Sequence, residues 1–238
     1  MYLSAATLLR MWETGSALTA AERPAALLAM FAGETLDAIA HLPIGQRDTR
    51  LLQWYCQHAG TRLEALADCP GCREPVELNF DVADVARPAS VARAPVVISE
   101  DGWVLSWRPP DTRDFCHAAS APTAEGARGL LLDRCLTISS GRENHAPPAD
   151  LIARLMNLAA AADASADIQL SLACPACGAE WQAPFDIGAF LWALVQSEAL
   201  RLLAEVKEIA ATCSWSEAEI LSLSPARRSA YLQLTRGA

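Results

Sequence analysis

Between Asp68 and Val82 the chain reads "DCPGCREPVELNFDV": two cysteines with two residues between them, then apolar and polar residues in alternation. A turn of that kind turns both sulfurs toward one point, and a tetrahedral metal ion held there needs two more ligands. The second half of the chain supplies them. Cys174-Pro-Ala-Cys177 repeats the Cys-Pro-x-Cys pattern, and Cys174 follows Cys69 by the same 105 residues by which Cys177 follows Cys72. Each pair precedes an alternating strand that closes on Phe-Asp, at Phe80-Asp81 and at Phe185-Asp186. The two halves read as a duplicated element with a long insertion between them.

Four thiolates from two such knuckles make the closed sphere of a structural zinc, which lacks the open position catalysis requires. Two unlinked pairs of buried thiols are the plainer alternative. A redox pair is a poorer one, because reactive Cys-x-x-Cys pairs sit at helix N-termini and strands follow both pairs here. Gly178 stands after the second knuckle, where a positive φ is commonly needed, and Arg73 stands in that place after the first; this predicts a distorted first knuckle. Catalytic zinc patterns such as His-Glu-x-x-His, or His-x-Glu ahead of Pro-Cys-x-x-Cys, do not occur. The four histidines (His41, His58, His117, His145) are scattered, and there is no Gly-rich phosphate loop or Gly-x-Ser-x-Gly. Cys116-His117 reads as a packed thiol beside a surface imidazole, and Cys56, Cys135 and Cys213 read as core. No enzymatic site is expected.

Composition narrows the partners. The 238 residues carry 28 acidic against 19 basic side chains, a formal charge of -9 and a pI near 4.9. Such a surface repels phosphate backbones and anionic lipid, so neither nucleic acid nor membrane is an expected partner. No run of about 20 uncharged apolar residues is evident, and the N-terminal "MYLSAATLLRMWETG" reads as an amphipathic helix rather than an export signal. Eight cysteines in a long chain that is 52% hydrophobic then point to metal binding in the cytoplasm rather than to a secreted disulfide scaffold.

The pattern from Leu3 to about Ala67 is helical. A first helix stops at Gly15, a second carries Leu27, Leu28 and Phe31, and Pro43 with Gly45 breaks the chain before a helix with Asp48 in its first turn. Strands begin after the first cysteine pair. "VVISEDGWVLSWRPP" is a hairpin turning at Asp101-Gly102; two helices follow, around "EGARGLLLDRCL" and "ADLIARLMNLAAAA", with a polar loop at Pro147 and Pro148 between them. Ile168, Leu170 and Leu172 lead as a strand into the second cysteine pair. The longest helix runs from Ile187 to about Thr212 on a stripe of Ile187, Phe190, Leu191, Leu194, Val195, Leu202, Val206 and Ile209. Ser214 with Glu217 fits a capping box, and Ser224-Pro225 starts a last helix. The expected fold class is α+β and mostly helical, with a split zinc-ribbon-like β module. Its parts are an N-terminal helical region (1–67), the split module (68–86 and 167–187), an inserted hairpin with helices (87–166) and a C-terminal helical region (188–238), together one compact unit.

Three further stretches admit both a structural and a docking role. "WRPPDTRDF" (Trp107–Phe115) is a strand end, a turn and a helix start capped by Asp111 or Thr112, or else a loop presenting Arg108, Asp111, Arg113 and Asp114 with Arg108, Arg113 and Asp114 exposed. "LPIGQRD" (Leu42–Asp48) carries the same choice. The C-terminal "WSEAEILSLSPARRSAYLQL" is a helical cap, or a patch offering Trp215 and Tyr231 to a partner.

Taken in order, "LPIGQRD", the first Cys-Pro-x-Cys, "WRPPDTRDF", the second Cys-Pro-x-Cys-Gly before "FDIGAFLW", and the C-terminal stretch resemble the baseplate hub assembly proteins of T-even-type contractile phages. The similarity is greatest to their relatives in phage-like and extracellular contractile injection systems, and it spans nearly the whole chain. It implies a non-enzymatic factor that binds hub or spike subunits in the bacterial cytoplasm and helps build or load the hub. It carries over Cys69, Cys72, Cys174 and Cys177 as metal ligands; Arg73 departs from the glycine such knuckles usually have. The alternative from another class is a zinc-ribbon adaptor or enzyme subunit. The acidic total argues against its nucleic-acid form and the scattered histidines against its catalytic form.

Overall fold

The computed structural model describes residues 4–85, 94–141 and 145–236. The helix start expected at Leu3 and the segment boundary expected between 86 and 87 lie outside them. The fold is α+β, with helices between small antiparallel sheets. The chain groups into two compact units, Met1–Leu18 with Leu191–Ala238, and Thr19–Phe190.

The first unit opens with α1 (Ala5–Ser16), capped by Ser4, whose hydroxyl accepts from the Thr7 N–H at 3.1 Å. Gly15 does not end this helix. It lies buried in the last turn, where an added methyl would sit 2.2 Å from Trp192 Cζ3. Packing, not turn geometry, requires the glycine.

In the second unit, α2 (Arg23–Ala32) stops at Gly33 in the left-handed conformation (φ 68°), the common end of a helix. α3 (Leu36–Ala40) is capped by Thr35. α4 (Ile44–Ala59) packs on α2, with Phe31 stacked on Trp54, and Leu27, Leu28, Leu51 and Leu52 are all nearly inaccessible. Each such buried leucine contributes about 1.5–3 kcal/mol. α4 starts at Ile44, so Gly45 belongs to its first turn instead of breaking the chain. The cause is Asp163, distant in sequence, whose Oδ1 would lie 1.8 Å from a Cβ on Gly45. Pro43 at the N-cap offers no side-chain acceptor, and a carboxylate placed there complements the helix dipole.

β1 (Arg62–Asp68) and β2 (Pro75–Asp81) form an antiparallel hairpin with the first knuckle at its tip, followed by the short α5 (Val82–Val85). β1 overturns the helical reading of this stretch. Its leucines, alanines and glutamate suit a helix, yet full-length pairing with β2 wins and buries Leu63.

β3 (Val96–Glu100) and β4 (Trp103–Trp107) form the expected hairpin, with Asp101 (φ 50°) and Gly102 (φ 82°) in the left-handed region. α6 (Thr112–Ala118) and α7 (Ala124–Cys135) follow, and then β5 (Leu136–Ser140), which joins the edge of β4. The helical reading of "EGARGLLLDRCL" ran over that strand junction and missed β5. α8 (Ala149–Ala162) covers the sheet: Trp103, Leu105, Leu151 and Leu155 form its core. After a turn of 3-10 helix (Ala164–Ala166), β6 (Ile168–Ala173) and β7 (Glu180–Phe185) build the second knuckle hairpin.

α9 (Ile187–Cys213) starts in the second unit, where Phe190 is only half-buried, and continues into the first, where Leu191, Val195, Leu202, Val206 and Ile209 are buried and Leu194 is half-buried. By length and composition this helix is apolar enough to cross a membrane, although Glu198 and Arg201 interrupt its apolar run; one third of its most apolar window is buried in the fold. α10 (Glu217–Ser222) has its capping box at Ser216 and Glu219, not at Ser214 and Glu217; Ser214 lies outside the helix at φ 53°. α11 (Pro225–Arg236) starts at Pro225 as expected, with Ser224 Oγ accepting from the Arg227 N–H. Val206, Ile209, Ile220 and Leu232 close this core.

Candidate metal centre

The sulfurs of Cys69, Cys72, Cys174 and Cys177 all lie within 4.8 Å of one another. Two separations that cross between the hairpins are close: Cys69 Sγ to Cys177 Sγ is 3.6 Å, and Cys72 Sγ to Cys174 Sγ is 3.7 Å. The first cysteine of each knuckle is buried and the second is exposed. Val76 and Trp181, 105 residues apart in the chain, pack beside the sulfurs from the two outgoing strands. The set is able to hold one metal ion.

The same local geometry builds both half-sites. Cys69 N–H donates to the Glu74 carbonyl at 3.0 Å, and Cys174 N–H donates to the Ala179 carbonyl at 2.9 Å. Arg73 N–H closes the first turn on the Cys69 carbonyl at 2.8 Å, and Gly178 N–H closes the second on the Cys174 carbonyl at 2.9 Å. The distortion expected at Arg73 is absent. Arg73 takes the left-handed conformation itself, at φ 63° against 74° for Gly178. A non-glycine residue held there carries a cost of about 1–2 kcal/mol, which the hairpin sustains.

Electrostatics divides the four thiols. The Cys72 backbone N–H, followed by that of Gly71, lowers Cys69 to about 7. At Cys72 the Glu74 N–H works downward, but Cys177, burial and the other thiols raise it to about 12. Four negative sulfurs at this spacing repel one another, so a shared cation is what allows all of them to be thiolates.

Comparison with protein-family models, with curated proteins and with solved structures finds no match for the chain.

The remaining residues singled out in the sequence fall into two places. "LPIGQRD" and "WRPPDTRDF", read separately above, form one joint. Pro43 bridges antiparallel to Asp111, Ile44 N–H donates to the Pro110 carbonyl at 3.0 Å, and Arg47 Nη1 donates to Thr112 Oγ1 at 3.4 Å. Asp111 caps α6, accepting from the N–H groups of Arg113 and Asp114.

Asp114, expected on the surface, is fully buried. It accepts two bonds from Arg108 at 2.6 and 2.8 Å, one from Arg134 Nε at 2.7 Å and one from the Asp111 N–H at 2.9 Å. Burial works against its ionisation, but these donors, Arg108 first, hold the carboxyl well below the usual range. The Cys135 thiol, raised to about 12 by burial and then by Asp114, donates to the same carboxylate at 3.6 Å. Arg108 is half-buried as a result. Arg113 is exposed, and its guanidinium pairs with the exposed Asp37 of α3. Trp215 and Tyr231 are half-buried and meet edge to face at 4.9 Å. Nothing local in "TRDF" announces the burial of Asp114, because Arg134 comes from a helix whose register in space is not readable from sequence.

Proposed function

We propose that the chain is a non-enzymatic assembly factor for the baseplate hub of a contractile tail-like particle, working in the bacterial cytoplasm on hub or spike subunits and held together by a structural zinc ion. One observation carries the zinc: sulfur separations of 3.6 and 3.7 Å match the edge of about 3.8 Å in a regular tetrahedron with Zn–S near 2.3 Å. All four donors are protein thiolates, so the ion has no open position for a substrate and its role is to clamp two hairpins into a split zinc-ribbon-like module. The order of motifs along the chain supports the assembly role, and the joint of two of those motifs supplies a formed surface with Arg113 at its edge. The zinc-loaded chain, tagged and captured from its native host, is expected to bring hub or spike subunits with it, identified by mass spectrometry. Capture that yields no tail component contradicts the assembly role.

A further inference from the structure

A cavity of about 180 Å³ in the second unit gathers residues from three of the stretches singled out in the sequence. Arg47 and Asp48 come from "LPIGQRD", Phe115 from "WRPPDTRDF" and Asp186 from "FDIGAFLW", and Ser165 faces them from the turn before β6. Ser165 is 3% exposed, and its Oγ has no hydrogen-bond partner. Unmatched buried hydroxyls are costly and call for an explanation.

Charge is unbalanced around this space. Arg47 Nε donates to Asp48 Oδ1 at 2.7 Å, yet Asp186 and Asp163 also press their charge on Asp48. Arg47 is paired with Asp48, and Asp163 and Asp186 add two further carboxylates close by. Asp186 is engaged in part as the cap of α9, accepting from the Ala189 N–H at 3.0 Å. The rest of the wall is apolar and includes Pro24, Ile44 and Phe185. The volume falls below the roughly 300–1,000 Å³ of small-molecule sites, and suits one long side chain. A bare metal ion fits less well: among the described residues the four cysteines are the only group of three or more metal donors gathered closely enough to hold one.

We propose that this cavity receives a single cationic side chain, lysine or arginine, from a partner protein. Its aliphatic stem lies along Pro24, Ile44 and Phe185, and its charged head meets Ser165 Oγ and the carboxylates of Asp48 and Asp186. The proposal rests on the reading of the chain as a protein-binding factor and names what the partner must present.

The test uses the isolated, full-length, zinc-loaded chain and four probes: n-butylammonium, n-butylguanidinium, n-butanol as the neutral analogue, and magnesium or calcium chloride. Methyl NMR signals of Ile44 and Ile168, both on the cavity wall, report binding. One or both organic cations are expected to shift these signals to saturation, with n-butanol at least about tenfold weaker, as the loss of a hydrogen bond to a charged group implies. Ser165→Ala removes only the unmatched hydroxyl, so it is expected to keep or raise the melting temperature and to weaken cation binding about tenfold. Absence of a saturable shift, equal binding of butanol, a response to divalent ions alone, or unchanged affinity in Ser165→Ala overturns the proposal. Failure to capture hub subunits, by contrast, overturns the assembly role and leaves this titration standing.

Discussion

Phe80 and Phe185, 105 residues apart in the chain, meet edge to face with ring centroids 5.3 Å apart. Each lies in the outgoing strand of its knuckle hairpin, so the aromatic pair joins at one end what the four sulfurs join at the other. The duplicated sequence has become a pair of matching hairpins facing each other. Alanine at either position is expected to cost about 1–3 kcal/mol, less than a fully buried Phe because both rings are half-buried. The double variant should show a coupling of about 0.5–1.5 kcal/mol, measured by urea unfolding of the zinc-loaded protein. Strict additivity would mean that the rings do not interact.

Gly45 gives a prediction of opposite sign to helix propensity. Alanine inside a helix normally gains about 1 kcal/mol over glycine. Here the new methyl meets the Asp163 carboxylate at 1.8 Å, so Gly45→Ala is expected to destabilise by about 1–3 kcal/mol. Adding Asp163→Ala should restore most of the loss. Thermal unfolding of the two variants checks both steps; a stabilised Gly45→Ala would show that the carboxylate does not sit on the helix start.

The buried carboxylates should respond to pH in opposite directions. Burial raises Asp48 and Asp163 above the usual range, against Arg47 and the Gly45 N–H respectively. Protonation of such groups favours the folded chain, so their contribution is full below about pH 3.9 and is lost as pH rises through the raised folded values. Asp114 is held low, and its contribution is present above about pH 3.9 and lost as pH falls toward its depressed value. Asp163→Asn is therefore expected to equal or exceed the parent in stability at pH 7 and to lose that advantage on mild acidification. Asp114→Asn should cost about 1.5–3 kcal/mol at pH 7, since it weakens the charged hydrogen bonds from Arg108 and Arg134, both partly open to water, and the deficit should shrink in strong acid. Chemical unfolding of both variants against the parent across pH cancels the shared acid loss of metal.

What was legible in the sequence, and what was not, follows from the range of the forces involved. The knuckles, the Asp101-Gly102 hairpin and the Ser224-Pro225 start are local, and each residue's own conformational preference announces them. β1 was hidden because Leu63, Ala65 and Ala67 suit a helix equally well, and only pairing with β2 decides between the two. Gly15 and Gly45 looked like breaks, yet each makes room for a side chain from far along the chain, Trp192 and Asp163. Cys69, Cys72, Cys174 and Cys177 could be singled out because duplication made a distant relationship visible as a repeat. Asp114 and its partners had no such repeat to reveal them.

The surface role is best tested away from that buried cluster. Arg108 holds Asp114 and would unsettle the fold if removed, whereas Arg113 makes only an exposed pair worth at most about 1 kcal/mol. Arg113→Ala is expected to leave the melting temperature within a few degrees of the parent and to reduce hub-subunit recovery in the capture experiment. Unaltered recovery would remove this edge of the joint from the partner surface.

The four-cysteine site is where the two knuckle hairpins meet. A tetrathiolate zinc contributes on the order of 10 kcal/mol, more than the whole stability of many domains. Cys174→Ser is expected to abolish metal binding and leave a chain that aggregates or is readily proteolysed, while Cys116→Ser, at a half-buried thiol outside the cluster, should do neither. The most direct measurement is zinc K-edge X-ray absorption, together with metal analysis, on protein purified from its native host without added metal. One zinc per chain with four sulfur neighbours near 2.3 Å is the predicted result; a chain without zinc, or a zinc with nitrogen or oxygen in its first coordination sphere, would contradict it.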